Sequence, residues 1–381
     1  MHIHRVKEGE TLFSIASRYN APITKLIENN ELSKPDRLVT GEELIVLLPT
    51  RTHRVRGTES LIEIARRYEI KRAELYRNNP SLIARHDVYP GELLAIRYPA
   101  PRGGMGASLG YVPRGTPKER LSLTLPYLTY FVFDGIYEDD EGLRPEIDEE
   151  LLSHVRSQKK TPLLRVHAKE GHEICFATME SICALAIEKG FCGIVLARGM
   201  LTHLERQQRD AYLVALRRML LGCDLILFAE CDETGEFGDY LDGNIIVAGA
   251  IDDKDAFFDR VEGSYECAKS FLALPTGCVD NGRPISYAKM REIGYKTKAE
   301  LEGADNETQW LRYRKYRFGK GEEHTVRVFS PSYLSTLIGY LCEYGMMGAA
   351  IDVRYAPVFA LMLLHTSLYE VDYAFSMFDK K

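Results

Sequence analysis

The side chains able to do chemistry in this chain stand where apolar runs end. Asp134, Arg165, His167, Arg198, Glu230, Asp232, Asp252 and Asp280 all occupy such positions. Glu230 and Asp232 lie two residues apart after one run. A pair of carboxylates can serve as acid and as base or nucleophile at a glycosidic bond. An opposite reading is equally physical: Arg165, Arg198 and Glu230 can neutralise one another and leave no acid free. His167 with His172, and His203 with Glu205, lack the spacing of a zinc site, so no metal is expected. Gly103-Gly104-x-Gly106 precedes an apolar run instead of opening a helix, so no dinucleotide or other cofactor is expected. Trp310, Tyr313 and Tyr316 recur every third residue and read as an aromatic stripe on a helix, serving core packing, a sugar or a partner.

The elements that would position these groups follow from the apolar pattern. Strand-like runs cover 107–112, 128–133, 162–167, 193–197, 225–229, 244–248, 269–274 and 347–353. Helical patterns cover 149–160, 178–189, 205–221, 255–262 and 333–344. Continuous apolar strands separated by helices indicate buried parallel strands, and eight of them indicate an α/β fold of the (β/α)8 TIM barrel type. In such a barrel the ends of the strands carry the functional groups. The segment 281–329 is too long for a simple connection and reads as a small α+β insertion between strands seven and eight.

The first hundred residues contain an internal repeat. His4-Arg5-Val6 recurs as His53-Arg54-Val55, and at the same offset of 49 Leu12 meets Leu61, Ile15-Ala16 meets Ile64-Ala65, Arg18-Tyr19 meets Arg67-Tyr68, and Asn29-Asn30 meets Asn78-Asn79. Each unit reads strand, helix, helix, strand. Thr11 is placed to N-cap the first helix, whose Leu12, Ile15, Ala16 and Tyr19 share a face. The Asn pair is expected to end the second helix, since Asn tolerates the left-handed conformation. The units span 2–49 and 51–98, with a turn-rich linker at 99–106 and the barrel at 107–381.

Composition bounds the function classes. Of 381 residues, 45% are hydrophobic and 27% charged, which excludes a largely disordered chain. The first hundred residues carry a net charge of +3 and the remainder −9, too little basic charge to argue for nucleic acid. No apolar run is long enough for a membrane span, so none is expected. The N-terminus lacks the pattern of a signal peptide, so synthesis in the cytoplasm is expected. The eight cysteines lie singly beyond residue 170 and read as thiols of a reducing compartment.

Both repeats resemble the LysM domain, on His-x-Val-x-x-Gly-x-Thr-Leu (residues 4–12), Ile-Ala-x-x-Tyr (15–19), Leu-x-x-x-Asn (26–30) and Gly-x-x-Leu (41–44). The resemblance implies binding of an N-acetylglucosamine polymer, peptidoglycan or chitin, in a shallow groove between two loops. Those loops would be Gly9, Glu10, Thr11 and Leu12 with Asn30, Glu31, Leu32 and Ser33. In the second unit they would be Gly57, Thr58, Glu59 and Ser60 with Asn79, Pro80, Ser81 and Leu82. The second unit departs at its turn, where the glycine shifts by one position.

The remainder resembles glycoside hydrolase family 18, in the branch of spore cortex-lytic and peptidoglycan hydrolases, where LysM repeats precede the barrel. The resemblance rests on Ser108-Leu-Gly-Tyr111, Leu128-Thr-Tyr-Phe131, Gly190-Phe-Cys-Gly-Ile194, Leu272-Ala-Leu-Pro275, Pro284-Ile-Ser-Tyr-Ala288 and Gly345-Met-Met-Gly348. That family carries Asp-x-x-Asp-x-Asp-x-Glu on strand four, its glutamate protonating the glycosidic oxygen. The four acidic positions here hold Cys192, Val195, Ala197 and Gly199. Where the family's strand six ends Met-x-Tyr-Asp, this chain has a run closing on Asp252. Where strand eight ends in tryptophan, the position falls near Asp352.

The resemblance therefore implies a peptidoglycan-binding protein of the bacterial spore or cell wall whose barrel is a pseudoenzyme. It would be made in the mother cell and deposited on the spore cortex or coat. Two alternatives stay open. One is an active N-acetylglucosaminidase with relocated acids, Glu230 and Asp232, in a pocket with Asp134, Arg165, His167, Arg198, Asp252 and Asp352. The other is a structural component that docks on spore coat proteins.

Overall fold

In a computed structural model the described residues are 1–99, 105–139, 142–168, 176–200, 204–232, 240–304, 306–317, 320–367 and 369–370. The first unit runs β1 (His2–Arg5), α1 (Leu12–Tyr19), α2 (Ile23–Asn29), β2 (Glu43–Val46). The second runs β3 (Arg51–Arg54), α3 (Leu61–Arg67), α4 (Arg72–Asn78), α5 (Ser81–Arg85), β4 (Leu93–Arg97). Each pairs its two strands antiparallel. The second unit thus holds one short helix more than its sequence suggests.

The caps form as their residue types dictate. Thr11 accepts from the Ser14 amide, and Ser60 accepts from the Glu63 amide, each within a capping box. The shifted glycine is absorbed by a change of turn. Gly9 sits third in a turn closed from Glu10 N to Lys7 O, while Gly57 sits second in a turn closed from Glu59 N to Arg56 O. Positive φ at the third position suits a type II turn and at the second its mirror image, II′. Both turns end on a glutamate engaged in the same way: His4 Nε2 lies 2.8 Å from Glu10, and His53 Nε2 lies 2.8 Å from Glu59.

The asparagines do not act as left-handed caps. Asn30 has φ −108° and Asn79 φ −141°; the positive φ falls on Glu31 instead. Asn30 is buried and bonds Leu26 O, Ile45 O and Ile45 N at 2.8–2.9 Å. Asn79 does the same with Leu75 O, Ala95 O and Ala95 N at 2.8 Å. Each amide therefore fastens the second long helix to the returning strand, satisfying groups that burial would otherwise leave unpaired.

The barrel begins at β5 (Met105–Val112), two residues before the expected boundary, and continues through α6 (Lys118–Thr124), β6 (Tyr130–Asp139), β7 (Gly142–Pro145), α7 (Glu149–Ser157), β8 (Thr161–Ala168), α8 (Phe176–Lys189), β9 (Gly193–Leu196), α9 (Arg206–Leu221), β10 (Ile226–Cys231), β11 (Gly243–Ile246), α10 (Lys254–Ser264) and β12 (Ser270–Ala273). Most of the expected linker, residues 100–104, lies outside the described residues, as do His172 and His203. After β12 comes the insertion: β13 (Cys278–Asp280), β14 (Arg283–Ile285), α11 (Tyr287–Thr297), β15 (Leu301–Glu302), β16 (Gln309–Arg317) and β17 (Lys320–Val328). The chain then forms α12 (Pro331–Glu343), β18 (Gly348–Asp352), α13 (Val358–Ser367) and β19 (Tyr369–Glu370).

Strands β5, β6, β8, β9, β10, β11, β12 and β18 pair in parallel, in that order, and β18 returns to β5 to close the barrel. All eight correspond to the apolar runs read from the sequence. Side chains that alternate inward fill the interior: Leu109, Tyr130, Val132, Leu163, Val195, Phe228, Ile245, Phe271 and Ala350 form one buried cluster. A larger cluster packs the outer faces of the strands against the helices and reaches Ile45 and Ile83 of the two N-terminal units.

The insertion is a five-stranded antiparallel sheet in the order β14-β13-β17-β16-β15, with α11 packed on it, and it begins at Cys278, not Asn281. Trp310, Tyr313 and Tyr316 lie on strand β16, so the expected helical stripe does not exist. A two-residue alternation sends Trp310 and Tyr316 to one face and Tyr313 to the other. Sheet pairing with β17 over nine residues overrides a spacing that is ambiguous in a short segment.

Candidate functional site

At the C-terminal mouth of the barrel, the inward alternation of the apolar interior continues into polar residues. Tyr111 follows Leu109 on β5, Asp134 follows Val132 on β6, Arg165 and His167 follow Leu163 on β8, Glu230 follows Phe228 on β10, and Asp352 follows Ala350 on β18. Parallel register brings these strand ends level. Arg165 is opposite Asp134 on β6, and Asp352 is opposite Tyr111 on β5.

Arg165 organises the mouth. Its Nε and Nη2 donate to the two oxygens of Glu230 at 2.6 and 2.7 Å, a bidentate pair. Its Nη1 donates to Asp134 Oδ1 at 2.9 Å and lies 2.8 Å from His167 Nε2, which is itself 3.3 Å from Asp134 Oδ1. Its guanidinium lies 5.5 Å from the centre of the Tyr111 ring. The backbone N–H of Arg198 gives Glu230 a third hydrogen bond at 3.0 Å. Glu230 is 3% exposed. This is the mutual neutralisation anticipated for Arg165, Arg198 and Glu230, with one change: Arg198 contributes its amide, while its side chain points to solvent and reaches Val247 O at 3.4 Å.

Electrostatics follow from this arrangement. Burial alone would raise the Asp134 carboxyl, but hydrogen bonds from His167 and Arg165 and the Arg165 charge outweigh it and hold the group below its usual range. Burial opposes the charge on Arg165, yet Glu230 and Asp134 more than compensate, so the guanidinium stays charged. Asp352 is raised by burial, an effect only partly offset by the Arg354 amide and guanidinium. Burial also raises the Tyr111 hydroxyl, aided by the Glu230 charge.

The other candidate acids lie elsewhere. Asp232 lines a depression of about 410 Å³ with Arg198, Asp252 and Arg260. Asp252 is 85% exposed there and pairs with Arg327 of the insertion at 3.0 Å. Asp280 belongs to the insertion sheet, where its carboxylate accepts from Tyr313 Oη at 2.8 Å and lies 2.9 Å from His324 Nδ1.

The four positions of the acidic strand-four signature are structural. Cys192 precedes β9, and its amide bonds Pro162 O at 2.9 Å. Val195 is fully buried in the barrel interior, and Ala197 is buried beside the outer core. Gly199 has φ +89°, a left-handed conformation that disfavours any side chain. Residue 199, where the resemblance would place a general acid, thus has a backbone that calls for glycine.

The loops of the two N-terminal units divide by exposure. Gly9, Thr11, Ser33, Gly57, Thr58, Ser60 and Ser81 are exposed, and Glu10 and Glu59 are partly so. Leu12, Asn30, Leu32, Asn79, Pro80 and Leu82 are buried. Several loop groups face protein. Glu31 bonds Arg120 at 2.5 Å and the Val358 amide at 2.8 Å. Asn79 accepts from Lys25 Nζ at 2.6 Å, and the Ser81 amide donates to Glu28 at 2.7 Å, so the first unit packs over the second loop of the second. The first unit is held in turn by the insertion: Arg291 Nε donates to Glu42 at 2.7 Å, its Nη1 donates to Asn30 O at 2.9 Å, and Leu301 N donates to Thr40 O at 2.9 Å. Neither Arg120 nor Arg291 carries a local sequence signal for this role, because each partner is far away along the chain. Tyr111 is absent from the residues expected at the site, although its place two residues after inward Leu109 is a signal for it.

Comparison with known proteins agrees with this architecture. Residues 4–46 match the LysM domain. A 46-residue stretch is 41% identical to the cortical fragment-lytic enzyme of Bacillus subtilis (strain 168), covering 12% of this chain and 11% of that protein. Among solved structures, the spore cortex-lytic enzyme SleL of Bacillus megaterium QM B1551 superposes with a TM-score of 0.74 at 16% identity, covering 97% of this chain and 98% of that one. SleL of Bacillus cereus gives 0.71 at 15% identity, covering 97% and 99%. A chitinase from Chromobacterium violaceum ATCC 12472 gives 0.55 at 15% identity, covering 68% of this chain and 98% of that one. The chain thus carries a LysM domain and a closed eight-stranded barrel like those of the family 18 chitinases.

Proposed function

We propose that this protein binds an N-acetylglucosamine-containing glycan, peptidoglycan of the spore cortex or wall, and that its barrel does not hydrolyse it. The observation that carries this reading is the state of Glu230. It is buried, and both its oxygens are taken up by Nε and Nη2 of Arg165 and by the Arg198 amide, which turns the carboxyl inward and away from a leaving group. A general acid needs the protonated carboxyl and reach to the glycosidic oxygen. The glycine conformation at residue 199 removes the other place for one. Exposed loop residues of the LysM domain supply the binding surface, and the fold shared with spore cortex-lytic enzymes supports the spore as its place.

The test uses full-length protein and purified spore cortex peptidoglycan, following soluble fragments and pelleted protein together. Pelleting without release is the expected result. Release that Glu230→Gln abolishes would show an active glycosidase with relocated acids. Absence of both binding and release would favour docking on coat proteins instead.

A further inference from the structure

The loop after α2 of the first unit and helix α11 of the insertion enclose a cleft of about 360 Å³ that neither forms alone. Leu32, Ser33, Lys34 and Arg37 line it from the LysM side; Lys289, Arg291, Glu292, Tyr295 and Lys296 line it from α11. The loop at residues 9–12 takes no part, so the cleft is not the groove expected between the two LysM loops.

Its chemistry is distinctive. Lys289 and Lys296 share one carboxylate, Glu292, at 2.9 and 2.5 Å. Lys34 is exposed and has no acidic partner among the described residues. Among the described residues Arg37 meets one acid, the exposed Asp36 at 3.8 Å, and its guanidinium lies 4.8 Å over the ring of Tyr295. Among the described residues, the Nε of Arg37 and the Nη2 of Arg291 are both buried without a hydrogen-bond partner. Two unmatched guanidinium donors, one from each side of the cleft, are costly unless an acceptor completes them. Tyr295, 47% exposed, offers an aromatic face beside this charge.

We infer that this cleft binds an acidic sugar residue, its ring against Tyr295 and its carboxylate among Lys34, Arg37 and Lys289. The inference rests on the glycan-binding reading above and specifies it: the protein selects a carboxylate-bearing glycan over a neutral one. The insertion then becomes part of the binding surface.

The test titrates the full chain by calorimetry with three probes: a neutral chitin oligosaccharide, an N-acetylglucosamine–N-acetylmuramic acid oligosaccharide of equal length, and a glycerol phosphate polymer. The acidic sugar should bind more tightly than the neutral one, and added salt should narrow the difference. The double variant Lys34→Glu, Lys289→Glu should lower the ratio of acidic to neutral affinity by about ten-fold or more, as loss of charge-assisted contacts implies. An unchanged ratio, with both sugars still bound, overturns the cleft assignment and leaves glycan binding intact. Tighter binding of the phosphate polymer overturns the sugar assignment. Failure of wild-type protein to bind either sugar overturns the glycan reading and this inference with it.

Discussion

Arg165→Leu tests the closed state of the barrel mouth directly. Glu230 accepts three hydrogen bonds, two of them from Arg165, and is 3% exposed. The substitution leaves a buried carboxylate with a single amide donor. Breaking a buried pair from one side costs about 3–5 kcal/mol, and the 20% exposure of the Arg165 side chain places the expectation near the lower end. Glu230→Gln should cost less, about 1–3 kcal/mol, because Arg165 keeps Asp134 at 2.9 Å. The double variant Arg165→Leu, Glu230→Leu removes both charges, and its stability should return to within about 1 kcal/mol of the parent or exceed it. The assay is urea unfolding followed by near-ultraviolet circular dichroism on these variants and on Glu230→Leu, which closes the cycle with Arg165→Leu. The cycle should show coupling above about 1 kcal/mol. A single-variant cost of Arg165→Leu below about 1 kcal/mol, or a double variant equal to the sum of its parts, would refute a dry, mutually dependent pair.

Acid should loosen the N-terminal units before neutral pH has any effect. Glu10 is held at about 2 against an ordinary 4.5: burial pulls it upward, but the Lys7 amide, His4 and Arg18 outweigh it. Glu59 is held at about 2 chiefly by the Arg56 amide and His53. A carboxyl depressed in the folded state stabilises fully above its unfolded value, so the contribution is present above about 4.5 and lost on acidification toward about 2; Glu10→Gln with Glu59→Gln should flatten that part of the melting-temperature profile. Asn30→Ala and Asn79→Ala should each cost about 2–3 kcal/mol in thermal unfolding, through three lost hydrogen bonds and an orphaned strand amide; a cost under about 0.5 kcal/mol would mean the fastening is unimportant. Gly41→Ala should detach the first unit from the insertion, since a Cβ there would lie 2.2 Å from Leu301 O, whereas Gly91→Ala meets open space and suffers only its positive φ; limited proteolysis of the two variants compares them. Ala197→Asp with Gly199→Glu should yield no muropeptide release from cortex peptidoglycan while costing about 1–2 kcal/mol for a side chain in left-handed backbone.

Much of the barrel was legible because its strands are buried on both faces. Val195 and Leu196, or Phe228 and Ala229, face opposite sides yet are all enclosed, so the run is apolar without interruption and marks itself. Capping residues were equally readable, since Thr11 and Ser60 act within three residues of themselves. Asn30 was misread for a related reason: its type suits a helix end, but its partner strand lies fifteen residues on. Trp310, Tyr313 and Tyr316 failed because a three-residue spacing in a short polar segment does not separate helix from strand until β17 supplies a pairing edge.

The candidate site divides along the same line. That positions 192, 195, 197 and 199 hold no acid is a property of the amino acids alone, and so is the placement of Asp134, Arg165, Glu230 and Asp352 after apolar runs. Which acid is neutralised is not. Arg165 finds Glu230 across 65 residues, and Arg291 finds Glu42 across 249, only once the barrel closes and the insertion folds back over the first unit. Local order is written in periods of two and three to four residues, which a single strand or helix already expresses. Ion pairs and composite clefts depend on distances between elements, and those exist only in the assembled fold.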